Sequence, residues 1–132
     1  MRQINYKCVH MGEIKDIMAI YFEKQSVYIK DCGEAKLENV KLIQDTGLKD
    51  KHGHHIYEGS ILRFRDTFYD KNMDDTYTAH NFGVVKYLNN RFTIMDFERS
   101  GAVMAMVREE ANSILVDLFN TSEVVGHIYI GR

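Results

Sequence analysis

The run GVVKYLNNRFTIMDFE, Gly83 to Glu98, constrains the fold more than any other part of the chain. Two alternating stretches flank Asn89-Asn90. Asparagine tolerates positive φ, which a two-residue hairpin loop requires at both central positions. With that loop, Tyr87 falls opposite Phe92 and Val85 opposite Ile94, so the apolar pairs share one face. Lys86, Leu88, Arg91 and Thr93 fall on the other, as expected of a mostly wet surface. The stretch therefore predicts an antiparallel hairpin.

The remainder supports a mainly β chain. The sequence has no proline, and Thr, Val, Ile, Tyr and Phe are scattered in short runs with Gly and Asn between them. Side chains of this kind suit a pleated, half-buried surface. RQINYKCV alternates, with Ile4, Tyr6 and Cys8 on one face and Asn5, Lys7 and Val9 on the other. IMAIYFE and SVYIK read as two further strands, and DCGE as a turn around Gly33. Residues 1–45 are expected to form a small N-terminal β lobe and 46–132 a second lobe, the two making one compact unit. SILRFR opens the strands of the second lobe, with Leu62 and Phe64 on one side and Ile61, Arg63 and Arg65 on the other. After Gly101 the period changes: Val103, Met106, Val107, Ala111, Ile114, Leu115 and Leu118 recur at three and four. This predicts one or two short helices within 102–119, with a restart at Asn112-Ser113. SEVVGHIYIG closes the chain as a strand. The fold class is β-rich α+β.

Charge limits the partners. The net charge is -2, and it divides evenly: seven basic and seven acidic residues through Asp45, then ten basic and twelve acidic. A dedicated duplex binder gains affinity by neutralising several phosphates and shows a strongly basic face. No such excess exists here, so nucleic acid is not favoured as the main partner. No apolar run of about 18 residues is present to span a bilayer, and MRQINYKCVH has neither the apolar core nor the small-residue cleavage site of a signal peptide. The chain is expected in a cytoplasm, with Cys8 and Cys32 as reduced packing residues.

Between the lobes, TGLKDKHGHHIYEGSILRF carries turn signals at Gly53 and Gly59, which deliver the chain into the next strand. This block resembles the TGLKDKNGKEIYEGDIV signature of the YopX family of bacteriophage and prophage proteins. The terminal SEVVGHIYIG resembles that family's EVIGNIYEN, and the initial MRQINYKCVH is similar to MREIKFRAWD. The likeness runs end to end in three ordered blocks. It implies an N-terminal β lobe followed by a small barrel of the Src-homology-3 type, in the cytoplasm of a host cell, and it implies no activity. His52, His54 and His55 stand where the family pattern has Asn and a Lys-Glu pair, and Ser60 where it has Asp, so a histidine-based role is not implied by the family.

Three constellations carry candidate chemistry. His52, His54 and His55 could converge on a transition metal, but a structural zinc site needs four fixed ligands, usually including thiolates, and the cysteines are remote in sequence. LKDKHG lacks the spacing of a phosphate-binding loop. The stretch from Arg65 to Phe82 reads as a long loop in which Phe68, Tyr69 and Tyr77 lie among Asp66, Asp70, Asp74 and Asp75. Aromatics beside carboxylates suit recognition of a basic or extended peptide. Arg63, Arg65, Lys86 and Arg91 share the outer face of adjacent strands and form the nucleic-acid alternative. No nucleophile-base pair or acid pair stands out. The expectation is a non-enzymatic interaction or assembly module without a cofactor. Its partner would be a phage or host protein, or a second copy meeting it through a strand edge supplied by SEVVGHIYI.

Overall fold

A computed structural model describes residues 5–108 and 112–132. The chain divides into two compact units, Met1–Asp45 and Thr46–Arg132.

The first unit is an antiparallel meander. Strands β1 (Tyr6–His10), β2 (Glu13–Tyr21), β3 (Ser26–Ile29) and β4 (Gly33–Lys36) pair in sequence order, and β5 (Lys41–Lys49) returns along the other side of β1. Met11 and Gly12, both at positive φ, form the two-residue loop between the His10 and Glu13 pair. The core of this unit is Cys8, Val27, Ile29 and Val40, with Ile17, Ile20, Ala35 and Leu37 packed against it. Alternation along β1 is imperfect: Cys8 is buried and Val9 nearly so, while Tyr6 is exposed. Ile4 lies outside the described residues. The two cysteines differ, because Cys8 is a core residue whereas Cys32 is exposed in the β3–β4 turn and accepts a hydrogen bond from Lys15 Nζ at 2.9 Å. Only Cys8 is the packing residue expected of both.

The second unit begins in the last residues of β5, where Thr46 Oγ1 donates to the carbonyl of Ile56 on β6 (His55–Tyr57) at 2.7 Å. Strands β7 (Ser60–Asp70), β8 (Asp75–Leu88), β9 (Arg91–Met95) and β10 (Glu123–His127) form an antiparallel sheet in the order β10-β7-β8-β9. The register at the β8–β9 turn is Leu88 with Arg91, Tyr87 with Phe92 and Val85 with Ile94, and both Asn89 and Asn90 have positive φ. The hairpin read from the sequence is thus present. Among the described residues the two outer strands β9 and β10 are not paired with each other, so the sheet stays open and does not close into a barrel.

Helices α1 (Ala102–Arg108) and α2 (Asn112–Thr121) give two short helices; the segment between them, and with it Ala111, lies outside the described residues, as does the Ile114 side chain. Val103, Leu115 and Phe119 join Ile56, Leu62, Phe64, Val85 and Ile94 in one core. Alternation on β7 explains which side packs: Leu62, Phe64 and Phe68 are buried, while their neighbours face out. Each fully buried side chain of this size contributes about 1.5–3 kcal/mol. The final strand is shorter than expected. It ends at His127, after which the chain turns and Gly131 bridges back to His127. Among the described residues no helix is long and apolar enough to cross a membrane.

Candidate functional site

The loop that links β5 to β6 is organised by Asp50, which the sequence reading passed over. Its side chain is buried: Oδ1 accepts the backbone N–H groups of His52 and His54 at 2.9 and 2.8 Å, and Oδ2 accepts that of Val124 on β10 at 2.8 Å. Burial alone pushes the carboxyl up, but donation from Val124, His54 and His52 outweighs it and holds Asp50 below the usual carboxylate range. Lys51 N–H completes the seam by donating to the Ser122 carbonyl at 3.0 Å. Gly53 and Gly59 have φ of +80° and +90°, as their turn roles require. Ser60, which replaces the family's Asp, is buried and accepts the Tyr57 N–H at 2.9 Å.

In this loop the His52 and His54 ring centres lie 6.1 Å apart. His52 Nε2 lies 3.5 Å from Glu123 Oε2, His54 Nδ1 lies 3.5 Å from Asp50 Oδ2, and His55 stacks on Tyr57 at 6.1 Å. Among the described residues no group of three or more His, Cys, Asp or Glu side chains is arranged to hold a metal ion. His52 and His54 are thus neighbours while His55 stacks on Tyr57, and Asp50 fixes the loop backbone that carries the first two.

His127 is a further buried polar residue. Its Nε2 lies 2.8 Å from the Glu58 carbonyl, and its Nδ1 accepts the Tyr129 N–H at 3.2 Å. This pairing fits only a neutral ring protonated on Nε2, and burial pushes the pKa below that of an ordinary imidazole. A Cβ on Gly59 would come within 2.7 Å of the ring, so Gly59 is required by space as well as by φ.

The stretch from Arg65 to Phe82 is not a loop. It is most of a long hairpin, β7 and β8, paired continuously from Ile61 with Val84 out to Asp70 with Asp75. This pairing leaves only residues 71–74 as the turn. Asp66 and Phe68 point inward and are buried. Asp66 Oδ1 accepts the Val103 N–H at 3.0 Å, serving as the cap for α1, and Oδ2 accepts Asn81 Nδ2 at 2.9 Å. Asn81 is fully buried. Its Nδ2 donates to the Arg99 carbonyl, and its Oδ1 accepts the N–H of Arg99 at 3.1 Å. The Arg99 guanidinium lies 3.7 Å from the Phe68 ring centre and donates to the Tyr77 hydroxyl.

The outer part of this arm carries the remaining candidates. Asp70 Oδ1 accepts the Asn72 N–H, Asp75 Oδ1 accepts that of Thr76, and Asp74 accepts the Tyr69 hydroxyl. Tyr69, Met73 and Tyr77 are 60%, 75% and 42% exposed. The seven residues therefore divide into an interior pair, Asp66 and Phe68, and an exposed end of Tyr69, Asp70, Asp74, Asp75 and Tyr77.

Register places Arg63, Arg65, Lys86 and Arg91 on the outer face. They are not four equivalent cations. Arg63 donates to both oxygens of Glu123 at 2.8 and 2.9 Å, holding that carboxyl below its ordinary pKa, and Lys86 lies 3.6 Å from Asp96. Arg65 donates to Thr78 at 3.1 Å.

A cavity of about 410 Å³ lies beside β9, lined by Ile94, Met95, Phe97, Met104 and Val107, with Arg91 and Arg108 also in its wall. Met104 faces this space although it falls off the Val103, Met106, Val107 stripe that the sequence marks as core.

A two-unit, mainly β chain with an open four-stranded antiparallel sheet is the class these features define. The chain belongs to the YopX family, whose "YopX protein" description matches residues 2–130. The solved structure titled "Crystal structure of protein EF1440 from Enterococcus faecalis" is similar, with a TM-score of 0.57 and 14% identity over 98% of this chain and 96% of that one. At this identity the likeness concerns fold alone. A search of curated proteins gives no match.

Proposed function

We propose that this chain is a non-enzymatic protein-interaction or assembly module of phage origin, acting in the host cytoplasm, with the outer β7–β8 arm as its contact element. The observation that carries this reading is the contrast within the arm. Its base is fixed by the Asp66, Asn81 and Arg99 hydrogen bonds, while its end exposes Tyr69, Met73 and Tyr77 beside carboxylates. Rigid aromatic side chains offer contact area at low entropic cost. The small Src-homology-3-type barrel implied by the resemblance belongs with this proposal: β10-β7-β8-β9 would supply its strands. The partner is a phage or host protein, or a second copy of the chain. A photo-cross-linking residue at Met73, with one at the exposed Lys41 as control, tests it in the producing cell. Protein adducts at Met73 alone are the expected result; their absence, or adducts removed by nuclease, would defeat the proposal.

A second reading, nucleic-acid binding, draws on the shared outer face of Arg63, Arg65, Lys86 and Arg91. The ion pairs at Arg63 and Lys86 weaken it. A salt-dependent gel shift abolished by joint Arg63→Ala and Arg65→Ala substitution would favour it over the first.

A further inference from the structure

We infer that Cys32 and Lys15 form a peroxide-responsive pair, in which oxidation of the thiol is captured by the neighbouring amine as a reversible sulfur–nitrogen cross-link. Both residues belong to the first unit, so the inference does not depend on the arm.

The backbone brings the two groups together. Lys30 N–H donates to the Asp16 carbonyl at 3.0 Å and Cys32 N–H to that of Ile29 at 3.1 Å, which ties the turn after β3 to β2 beside Lys15. Asp31 and Gly33, on either side of Cys32, hold φ of +64° and +92°. Lys15 Nζ then meets Sγ at 2.9 Å, with Glu13 Oε2 3.4 Å from the same nitrogen. The contact therefore rests on main-chain pairing as well as on a long side chain.

Access selects the thiol. Cys32 is exposed, and beside it lies a cavity of about 350 Å³ lined by Lys15, Asp16, Lys30, Asp31 and Cys32. Hydrogen peroxide, small and neutral, enters such a space. Cys8, which pairs with Lys15 in register, is fully buried in the core and shielded from it. Cysteine oxidation follows thiolate character and exposure.

The contact gives Lys15 two successive roles. The Cys32 thiolate attacks one peroxide oxygen, the S–O bond forms as the O–O bond breaks, and the departing hydroxide takes a proton from the Lys15 ammonium. Sulfur is thereby oxidised to a sulfenic acid and peroxide is reduced to water. Lys15 is left as a neutral amine against the oxidised sulfur. That amine attacks the sulfur, forming the S–N bond and releasing the sulfenic oxygen as a second water, as backbone nitrogens do in sulfenamides. Hydrogen bonding to Cys32 raises the Lys15 pKa, so the proton passes to a strong base formed beside it. Capture is intramolecular and needs no second cysteine. Two thiols reverse it, leaving as a disulfide and restoring Cys32 and Lys15.

The test is peroxide treatment of the full chain, followed by digestion and mass spectrometry. The expected product joins the Lys15 and Cys32 peptides, is lighter than their sum by two hydrogens, and is released by dithiothreitol. The linked chain, closed between residues 17 apart, should unfold at higher urea than the reduced one. Lys15→Arg keeps the charge and the donor but presents a guanidinium that does not deprotonate. In that variant the link disappears and dimedone labels Cys32 as a persistent sulfenic acid. Lys30→Arg and Cys8→Ala leave the link in place, and peptide mapping of the unaltered chain identifies the joined residues should Cys8→Ala fail to fold. A Cys8–Cys32 disulfide, a disulfide between two copies, or a link through Lys30 would overturn the inference. So would equal dimedone labelling of the unaltered and Lys15→Arg chains.

Discussion

The two ends of the second sheet are treated differently by the chain. At β10 the outward N–H of Val124 meets the buried Asp50 carboxylate, the Ser122 carbonyl accepts Lys51 N–H, a register shift lies between Val124 and Gly126, and the tail folds back from His127 to Gly131. At β9 no described strand covers the outer side, and an apolar groove lies alongside. Exposed strand edges invite pairing with other chains, and bulges, turns and covering loops are means of preventing it. The contrast teaches that the edge suggested by the sequence, SEVVGHIYI, is sealed by polar contacts from Asp50 and from the tail, whereas β9 is flanked by apolar side chains and by no described strand.

Opening the closed edge has the largest expected effect. Asp50→Ala removes one carboxylate and leaves three backbone N–H groups without their acceptor. With charge-assisted hydrogen bonds contributing about 1.5–3 kcal/mol each and incomplete compensation by water, a loss of about 3 kcal/mol is expected in urea denaturation. A loss below about 1 kcal/mol would mean that Asp50 does not hold β10.

Next is the network at the base of the arm. Asn81→Ala removes the buried amide that joins Asp66 to the Arg99 backbone, and about 2 kcal/mol of stability should be lost. Cross-linking from Met73 should weaken as well, because the arm's base is no longer fixed. A destabilised variant with full cross-linking would separate the arm's rigidity from its contacts.

Acid should then act on the closed edge. His127 has a depressed pKa in the fold and an ordinary one near 6.5 when unfolded, so below that value the unfolded chain binds the extra proton more readily. Its contribution is complete above pH 6.5 and is lost as pH falls through the folded value. His127→Gln should flatten that part of the stability profile, and an unaltered slope would contradict the neutral, doubly bonded ring. Asp50, also depressed, should add its own loss only below about pH 3.8.

The smallest effect on stability is expected in the groove beside β9. Met104→Glu places a charge in a groove that water already reaches, so it should change stability by only about 0.5 kcal/mol. A large loss would mean that the groove is interior packing.

Local chemistry made part of this legible beforehand. Asn89-Asn90 fixed a register because both residues accept positive φ, and the stripe through Val103, Met106 and Val107 marked the helical face. The long hairpin was hidden for a physical reason: the Asp and Asn residues between Asp66 and Asn81 have turn-forming propensities, but pairing of β7 with β8 overrides them. Asp66 read as a surface carboxylate because its role as a helix cap depends on Val103, 37 residues away. The same holds for Asp50 and Val124, separated by 74 residues. The one local signal available was an Asp two residues before a His-Gly turn, where a side-chain oxygen commonly accepts backbone N–H groups. The histidines drew the eye through composition, while the residue that governs their placement stood beside them.

Amide hydrogen exchange of the dilute chain tests the sealed edge most directly. The Val124 amide, bonded to a buried carboxylate, is predicted to exchange only with global unfolding in the unaltered chain and orders of magnitude faster in Asp50→Ala. Rapid exchange of Val124 in the unaltered chain, or protection unchanged by Asp50→Ala, would contradict a β10 edge sealed by Asp50.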